Sequence, residues 1–168
     1  MTENVVMYSS NFEYDKKRGK IGEKAVINFF IGKGYEVQDV SENEVYQSKG
    51  VDLIVNDEYI EVKTQSALNK YNRITLELEV FKDNGEYKQG WFDTTESKKI
   101  VFYDKFNDIA YHIDTDELKD IYSIYYNNIE TYEFDEKGKK SILAFIDLEF
   151  LKKISNTLEI YKYNTLTA

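Results

Sequence analysis

The stretch Gly50–Gln65 constrains the fold of this chain more than any other segment. It reads G-V-D-L-I-V-N-D-E-Y-I-E-V-K-T-Q. Two short apolar runs, Val51–Val55 and Tyr59–Val62, are rich in valine and isoleucine, and the polar residues 56–58 separate them. Short β-branched runs joined by a tight polar turn predict a β-hairpin.

The side chains of this hairpin sort onto two faces, because successive residues of a strand point in opposite directions. Glu61, Lys63 and Gln65 therefore share one face of the second strand. Antiparallel pairing around the turn places Asp52 opposite the segment 61–63. Two carboxylates and a lysine thus converge on one patch of the predicted sheet.

The convergence of two carboxylates has a chemical consequence. Carboxylates a few ångströms apart repel each other unless a cation or a proton lies between them. Hard oxygen ligands suit Mg²⁺ or Mn²⁺, and a neighbouring lysine can orient a water or stabilise charge on a phosphate. The pattern indicates metal-assisted phosphodiester hydrolysis. A solvated hairpin edge with alternating charges is the alternative, and the short string alone leaves it open.

The spacing of these residues resembles the motif of the PD-(D/E)xK nuclease superfamily, which includes restriction endonucleases, Holliday junction resolvases and phage nucleases. Asp52 is followed, after eight residues, by Glu61-Val62-Lys63, and Val51 stands where the motif has proline. The resemblance implies an α/β fold with a restriction-endonuclease-like core, in which a mixed β-sheet carries the site on its central hairpin and is flanked by helices. It also implies that Asp52 and Glu61 bind the metal, while Lys63 assists the attacking water.

Two further residues match positions that this superfamily often uses. Glu23 lies on the predicted helix before the first strand, in a segment R-G-K-I-G-E-K-A that looks like the opening of resolvase-type members. The resemblance makes Glu23 a helper metal ligand and Gln65 a residue that supports the site without binding the metal. An ordinary exposed helix glutamate is the alternative for Glu23.

The charge distribution bears on whether the chain binds DNA. The net charge is −9, which opposes the phosphate attraction that contributes much of non-specific DNA affinity. The first 34 residues are the exception, with six Lys/Arg against four Asp/Glu. Weak candidates for phosphate contacts are Lys16, Lys17, Arg18, Lys20 and Lys49.

Composition excludes several classes of function. A chain of 168 residues is expected to form a single domain with a proper core. There is no cysteine, which excludes disulfides, thiolate catalysis and Cys-type zinc sites, and the single histidine excludes multi-histidine metal sites. No apolar run approaches the ~20 residues of a membrane helix, and the first residues lack the features of a secretion signal. A cytoplasmic location is the resulting expectation.

Hydrophobic periodicity predicts the remaining elements. After a polar arm over residues 1–15, a helix is expected over Lys17–Gly34, with an apolar stripe formed by Ile21, Ala25, Val26, Phe29 and Phe30. Strands are expected at Tyr35–Val40, Arg73–Val80, Ile100–Tyr103, Ile109–Ile113 and Ser141–Ile146, and helices after Asp114 and over Asp147–Ile154. The segments 41–49, 66–72, 81–89, 126–140 and 155–168 are expected to be polar loops, turns or a fraying tail. The nuclease core then spans residues 17–113, and residues 114–168 form a helix–strand–helix extension.

The sequence thus predicts a Mg²⁺- or Mn²⁺-dependent endonuclease that hydrolyses DNA phosphodiester bonds, selective for junctions or flaps and acting in a phage, mobile-element or repair context. The resemblance adds a homodimer as the expected assembly. Two alternatives stay open. One is a catalytically silent module of the same fold that binds nucleic acid or protein, and the other is an acidic protein that mimics DNA.

Overall fold

The computed structural model describes residues 12–136 and 138–165. Residues 1–11 of the predicted polar arm lie outside this range. The helices are α1 (Phe12–Gly32), α2 (Glu44–Ser48), α3 (Ser66–Tyr71), α4 (Trp91–Thr94), α5 (Thr115–Tyr125) and α6 (Leu148–Ile154), with a 3₁₀ turn at Tyr126–Asn128. The strands are β1 (Val37–Asp39), β2 (Leu53–Val55), β3 (Glu58–Thr64), β4 (Arg73–Lys82), β5 (Tyr87–Gln89), β6 (Lys99–Asp104), β7 (Ile109–Asp114), β8 (Glu130–Glu136), β9 (Lys139–Asp147) and β10 (Glu159–Lys162).

The strands form two sheets. The first has six strands in the order β1-β2-β3-β6-β7-β10, in which β3 and β6 are parallel and the other neighbours are antiparallel. The second has four antiparallel strands in the order β5-β4-β9-β8. The chain therefore has a mixed α/β fold with a mixed sheet flanked by helices, as predicted. The second sheet was not predicted.

The central hairpin is confirmed. Strands β2 and β3 pair with Leu53 opposite Ile60 and Val55 opposite Glu58. The turn consists of Asn56 and Asp57, whose φ angles of 47° and 68° lie in the left-handed region. Asparagine and aspartate tolerate this region, and a two-residue turn of this kind matches the twist of the flanking strands. The second strand begins one residue earlier than predicted.

Helix α1 packs on one face of the six-stranded sheet. It begins at Phe12 and ends at Gly32, earlier at both ends than predicted. Ala25, Val26 and Phe30 are buried as expected, whereas Ile21 is 49% exposed and does not belong to the buried stripe. Gly22 faces the sheet instead of Ile21. A Cβ at position 22 would be 1.8 Å from Oγ1 of Thr64 on β3. The absence of a side chain at Gly22 lets α1 lie directly against β3.

Two clusters of buried side chains cover the two faces of the six-stranded sheet. On the α1 face they are Ala25, Val26, Phe30, Leu53, Val55, Ile60, Val62, Val101, Tyr103 and Ala110. On the other face, Ile100, Phe102, Tyr111 and Ile113 pack with residues of the second sheet and of helices α5 and α6, among them Ile74, Leu76, Ala144, Ile146, Leu118 and Leu151. The predicted inward face of β4 is confirmed by the burial of Ile74, Leu76, Leu78 and Val80.

Several segments predicted as loops are ordered elements. Residues 41–49 contain helix α2, residues 66–72 contain α3, and residues 81–89 contain the end of β4 and all of β5. Residues 126–140 contain β8, and the tail contains β10, so the region after residue 114 has three strands rather than one. Strands β5, β8 and β10 lie at sheet edges, where one face and one edge meet solvent and polar residues are tolerated.

Strand β10 is held by contacts that the sequence pattern does not show. It pairs with β7, and the hydroxyl of Tyr163 lies 2.5 Å from Nε2 of the buried His112. Burial lowers the pKa of His112 to about 3, which keeps the imidazole neutral. The predicted fraying of this tail is therefore wrong for residues 155–165.

In the described part of the chain, no helix combines the length and the apolar character needed to cross a membrane.

We predict that Gly22→Ala lowers the stability of the protein, because the new methyl group must displace either Thr64 or the whole helix. Overpacking of this kind costs about 1–3 kcal/mol of unfolding free energy. Gly19→Ala is the matched control in the same helix, since a Cβ at position 19 would meet no atom within 4 Å. Helix propensity alone makes that variant more stable by up to about 1 kcal/mol. Urea denaturation measures both, and equal effects of the two substitutions would contradict the close approach at Gly22.

Candidate active site

Asp52 is fixed at the point where strand β2 begins. Its backbone N–H donates to the carbonyl of Ile60 at 2.9 Å, and its carbonyl accepts from the N–H of Val40 at 3.0 Å. Its side-chain Oδ2 accepts a hydrogen bond from the backbone N–H of Val62 at 2.7 Å. The carboxylate is therefore held against β3, next to Glu61.

Glu61 and Lys63 project from the face of β3 that lies opposite α1. Ile60 and Val62 are buried with α1, and strand alternation sends the residues between and after them to the other side. Glu61 is only 4% exposed. Its Oε1 lies 2.7 Å from Nζ of Lys63, whose side chain is 26% exposed. The negative charge of this buried glutamate is thus balanced by the lysine two residues further along the strand.

The charges of Glu61 and Lys63 both act on Asp52. Burial raises the pKa of Asp52 to about 6. The hydrogen bond from Val62 and the ammonium of Lys63 act in the opposite direction, while the charge of Glu61 raises this pKa further. The structure therefore brings together the three residues that the hairpin register placed on one patch.

Glu23 approaches Asp52 from helix α1. Burial raises the pKa of Glu23 to about 7, and the charge of Asp52 raises it further. The nearby Ser41 side chain and the charge of Lys20 act against this rise. The Nζ of Lys20 lies 3.8 Å from Oε2 of Glu23, too far for a hydrogen bond. Glu23 is consequently a half-buried carboxyl beside Asp52 rather than an exposed helix residue.

Gln65 is placed differently from the other predicted site residues. Its Nε2 donates to the carbonyl of Thr75 at 2.7 Å, and its Oε1 accepts from the N–H of Thr75 at 2.9 Å. Both ends of the amide are therefore engaged by the backbone of β4. Gln65 connects the end of β3 to the second sheet, and its amide does not lie with the carboxylates.

The predicted phosphate-binding residues are only partly available. Lys16 and Lys17 are exposed on α1. Lys20 pairs with Glu42 at 2.8 Å, which neutralises it locally. Arg18 and Lys49 are partly buried, and the backbone carbonyl of Lys49 accepts a hydrogen bond from the backbone N–H of Glu96 at 2.7 Å. The basic character predicted for this side of the molecule is therefore concentrated at the start of α1.

The oxygens of the site suit a hard divalent cation. Oε2 of Glu23 and Oε2 of Glu61 are buried without a hydrogen-bond partner. A buried carboxylate oxygen in this state is costly unless a cation or proton satisfies it. Within residues 12–136 and 138–165, no three His, Cys, Asp or Glu side chains are arranged to hold a metal ion together. The donor chemistry fits Mg²⁺ or Mn²⁺, and Asp52 interacts electrostatically with both Glu61 and Glu23.

Sequence reasoning did not assign a role in the site to Trp91, Ser41 or Asp39. The ring of Trp91 has Nζ of Lys63 over its face, 4.4 Å from its centroid. The hydroxyl of Ser41 donates to Asp39 at 2.6 Å, and the charge of Asp39 acts on both Glu23 and Asp52. No local pattern reveals these contacts, because each depends on which strands become neighbours.

The pH dependence of stability provides a prediction for Glu23. Its pKa in the folded protein lies above its ordinary value of 4.5, so the folded state holds a proton that the unfolded state has lost between pH 4.5 and about 7. Stability therefore falls as pH rises through this window, and the full cost is present above it. In Glu23→Gln this cost is absent, so the stability of the variant relative to wild type increases from pH 4.5 to 7 by on the order of 2 kcal/mol.

Urea unfolding at a series of pH values measures this difference. Glu96→Gln, which removes an exposed carboxylate, is the control and should give a curve parallel to wild type. Parallel curves for Glu23→Gln and wild type would show that Glu23 does not titrate as a buried group.

For Gln65 we predict a structural rather than a chemical effect. Gln65→Ala leaves the N–H and carbonyl of Thr75 without their partners, which costs about 1–3 kcal/mol of unfolding free energy. Gln65→Glu keeps the acceptor and loses the donor, so it should lie between Gln65→Ala and wild type. Urea denaturation orders the three proteins, and a fully stable Gln65→Ala would contradict the connecting role.

Comparison with known proteins gives a partial structural likeness. No protein-family model matches the chain. No curated protein matches it either. The structure is similar to that of a bacterial homing endonuclease, I-Ssp6803I, with a TM-score of 0.48 and 16% sequence identity over 60% of this chain and 69% of that chain.

Proposed function

We propose that this chain is a divalent-metal-dependent endonuclease that hydrolyses phosphodiester bonds in DNA. The observation that supports this most directly is the arrangement on the central hairpin. The buried carboxylate of Glu61 lies 2.7 Å from the ammonium of Lys63, and Asp52 is pinned beside them by the N–H of Val62. A purely structural hairpin has no need to bury two carboxylates side by side.

Asp52 and Glu61 are the proposed metal ligands. Glu23, which approaches Asp52 from α1, is the proposed helper ligand, and it would have to move for all three carboxylates to reach one ion. The partnerless oxygens of Glu23 and Glu61 are the acceptors that a cation would satisfy. A bound Mg²⁺ or Mn²⁺ supplies Lewis acidity and lowers the pKa of a coordinated water. The strand backbone contributes by holding Asp52 in one orientation, so little reorganisation accompanies binding.

Lys63 has two tasks available in this arrangement. Its ammonium can donate to the attacking water and so orient it, and its charge can stabilise the negative charge that develops on the phosphate. The side chain is 26% exposed, which leaves it accessible for either contact. Lys63 therefore acts on substrate, whereas Gln65 acts on the fold.

Recognition of DNA is assigned to the start of α1. Lys16 and Lys17 are exposed there, on the helix that carries Glu23. A net charge of −9 predicts weak sequence-independent binding and a strong requirement for the cation. A homodimer is the proposed assembly, because cutting both strands of a duplex requires two sites.

A second candidate is a catalytically silent binding module of the same fold. The ion pair between Glu61 and Lys63 favours it, because the two charges satisfy each other without a metal. In that case the hairpin is a stable charged surface. Divalent cations then leave the stability of the protein unchanged, and no nucleic acid is cut.

Cleavage of single-stranded, duplex, flap and four-way-junction DNA with Mg²⁺ or Mn²⁺ tests the proposal. We expect wild type to cut at least one of these substrates, and Asp52→Ala and Lys63→Ala to lose about 100-fold or more of the rate. Asp116→Ala and Lys88→Ala, which remove exposed residues elsewhere, are matched controls and should cut as wild type does.

Thermal unfolding with and without the cation separates the two candidates. A bound metal raises the melting temperature of wild type and has a smaller effect on Asp52→Ala. Absence of cutting on every substrate, together with an unchanged melting temperature, would overturn the nuclease and favour the silent module.

A further inference from the structure

Trp91 provides the second contact of the Lys63 ammonium. Nζ lies 4.4 Å from the centroid of the indole ring and 2.7 Å from Oε1 of Glu61. The face of an indole ring carries partial negative charge and attracts a cation, more strongly where water is partly excluded. The amine is therefore held from two sides, by a carboxylate and by an aromatic face.

The position of this ring is set by the core. Trp91 packs against the buried cluster between the two sheets, edge to face with Phe92 at 6.0 Å and tilted against Phe102 at 6.3 Å. It follows Gly90, whose N–H donates to the carbonyl of Leu78 at 2.8 Å. A Cβ at Gly90 would lie 2.1 Å from the carbonyl oxygen of Glu77, so only glycine lets the chain pass this close to β4. The indole is thus a rigid surface for the lysine.

The two contacts of Lys63 differ in what they depend on. The ion pair depends on the free charge of Glu61, and under the proposed function that charge is shared with a cation. The contact with the ring depends only on the indole. The ring therefore continues to hold the ammonium after Glu61 has found another partner.

We propose that Trp91 is the positioning residue for Lys63, which keeps the ammonium in the site when Glu61 binds the metal. The role of Lys63 towards substrate rests on the proposed function, whereas the contact itself is a property of the fold. Trp91 acts through Lys63 and does not itself take part in the reaction.

The emission of tryptophan reports this contact directly, because Trp91 is the only tryptophan of the chain. Lys63→Met removes the charge above the ring and keeps most of the side-chain bulk. We expect it to change the intensity and the maximum of the emission relative to wild type. Lys88→Met, which removes an exposed lysine on β5, is the matched control and should leave the emission unchanged.

Kinetics of two substitutions separate positioning from packing. Trp91→Phe retains an aromatic face and Trp91→Leu does not. We expect Trp91→Leu to lower kcat about tenfold with a smaller change in KM for DNA, and Trp91→Phe to stay within about threefold of wild type. Melting temperatures establish that each variant is folded. If Trp91→Leu does not fold, the comparison of Lys63→Met with wild type by emission and of Trp91→Phe with wild type by kcat decides the matter.

The outcomes distinguish this proposal from the proposed function. Unchanged emission in Lys63→Met, or equal kcat for Trp91→Leu and wild type, overturns the positioning role while leaving the nuclease intact. A wild type that cuts no substrate overturns the nuclease and with it the role of Lys63 towards substrate, whereas a shifted emission in Lys63→Met still demonstrates the contact between amine and ring.

Discussion

The hydrogen bond from the N–H of Val62 to the side chain of Asp52 is the interaction on which the candidate site depends. Between this hydrogen bond and the turn of the hairpin, β2 and β3 pair through their backbones, and the N–H of Asp52 donates to the carbonyl of Ile60. At Val62 the side-chain carboxylate of Asp52 accepts the hydrogen bond that a backbone carbonyl of β2 would otherwise accept. The backbone pairing of β2 with β3 ends here, and a charged side chain lies between the two strands. A buried N–H must have a partner, and supplying it from an acidic side chain places negative charge beside Glu61 at no cost in unsatisfied backbone.

Burial of these carboxylates lowers the stability of the fold, and packing gives no reason for it. Glu61 and Asp52 lie on a hairpin whose other face is apolar, and Glu23 approaches Asp52 because Gly22 lets α1 touch Thr64. A sequence selected for stability alone would separate these charges or replace them with apolar groups. This local conflict, in a hairpin whose apolar alternation and turn are regular, is the reason for proposing a functional site at these residues.

The parts of the structure that could be predicted are those specified by neighbours in sequence. The alternation of Ile74, Leu76, Leu78 and Val80 has the period of a half-buried strand, and the strand is there. Strands β8 and β10 could not be predicted, because they are polar edge strands whose hydrogen bonds come from β9 and β7, distant in sequence. The periodicity of α1 was compatible with Ile21 facing the sheet. The structure instead turns Gly22 towards Thr64, where a larger side chain would collide. Contact with the sheet, which the sequence pattern does not show, therefore decides which face of the helix is buried. The roles of Asp52, Glu61, Lys63 and Glu23 remain predictions, whereas their placement follows from hairpin register and helix phase.

The positions of the basic side chains explain how a chain with a net charge of −9 can be consistent with the proposed site. The ammonium of Lys20 is shared between Glu42 and Glu23, and that of Lys63 is directed at Glu61, so basic groups next to the site are already engaged by acids. A phosphate approaching such a surface meets carboxylates whose charge is only partly compensated. Coulomb repulsion at a few ångströms in a partly buried site is substantial, and only a cation bound among the carboxylates reverses its sign. Under the proposed function, the same carboxylates that repel DNA in a chain with a net charge of −9 are the groups that would make DNA binding conditional on the metal.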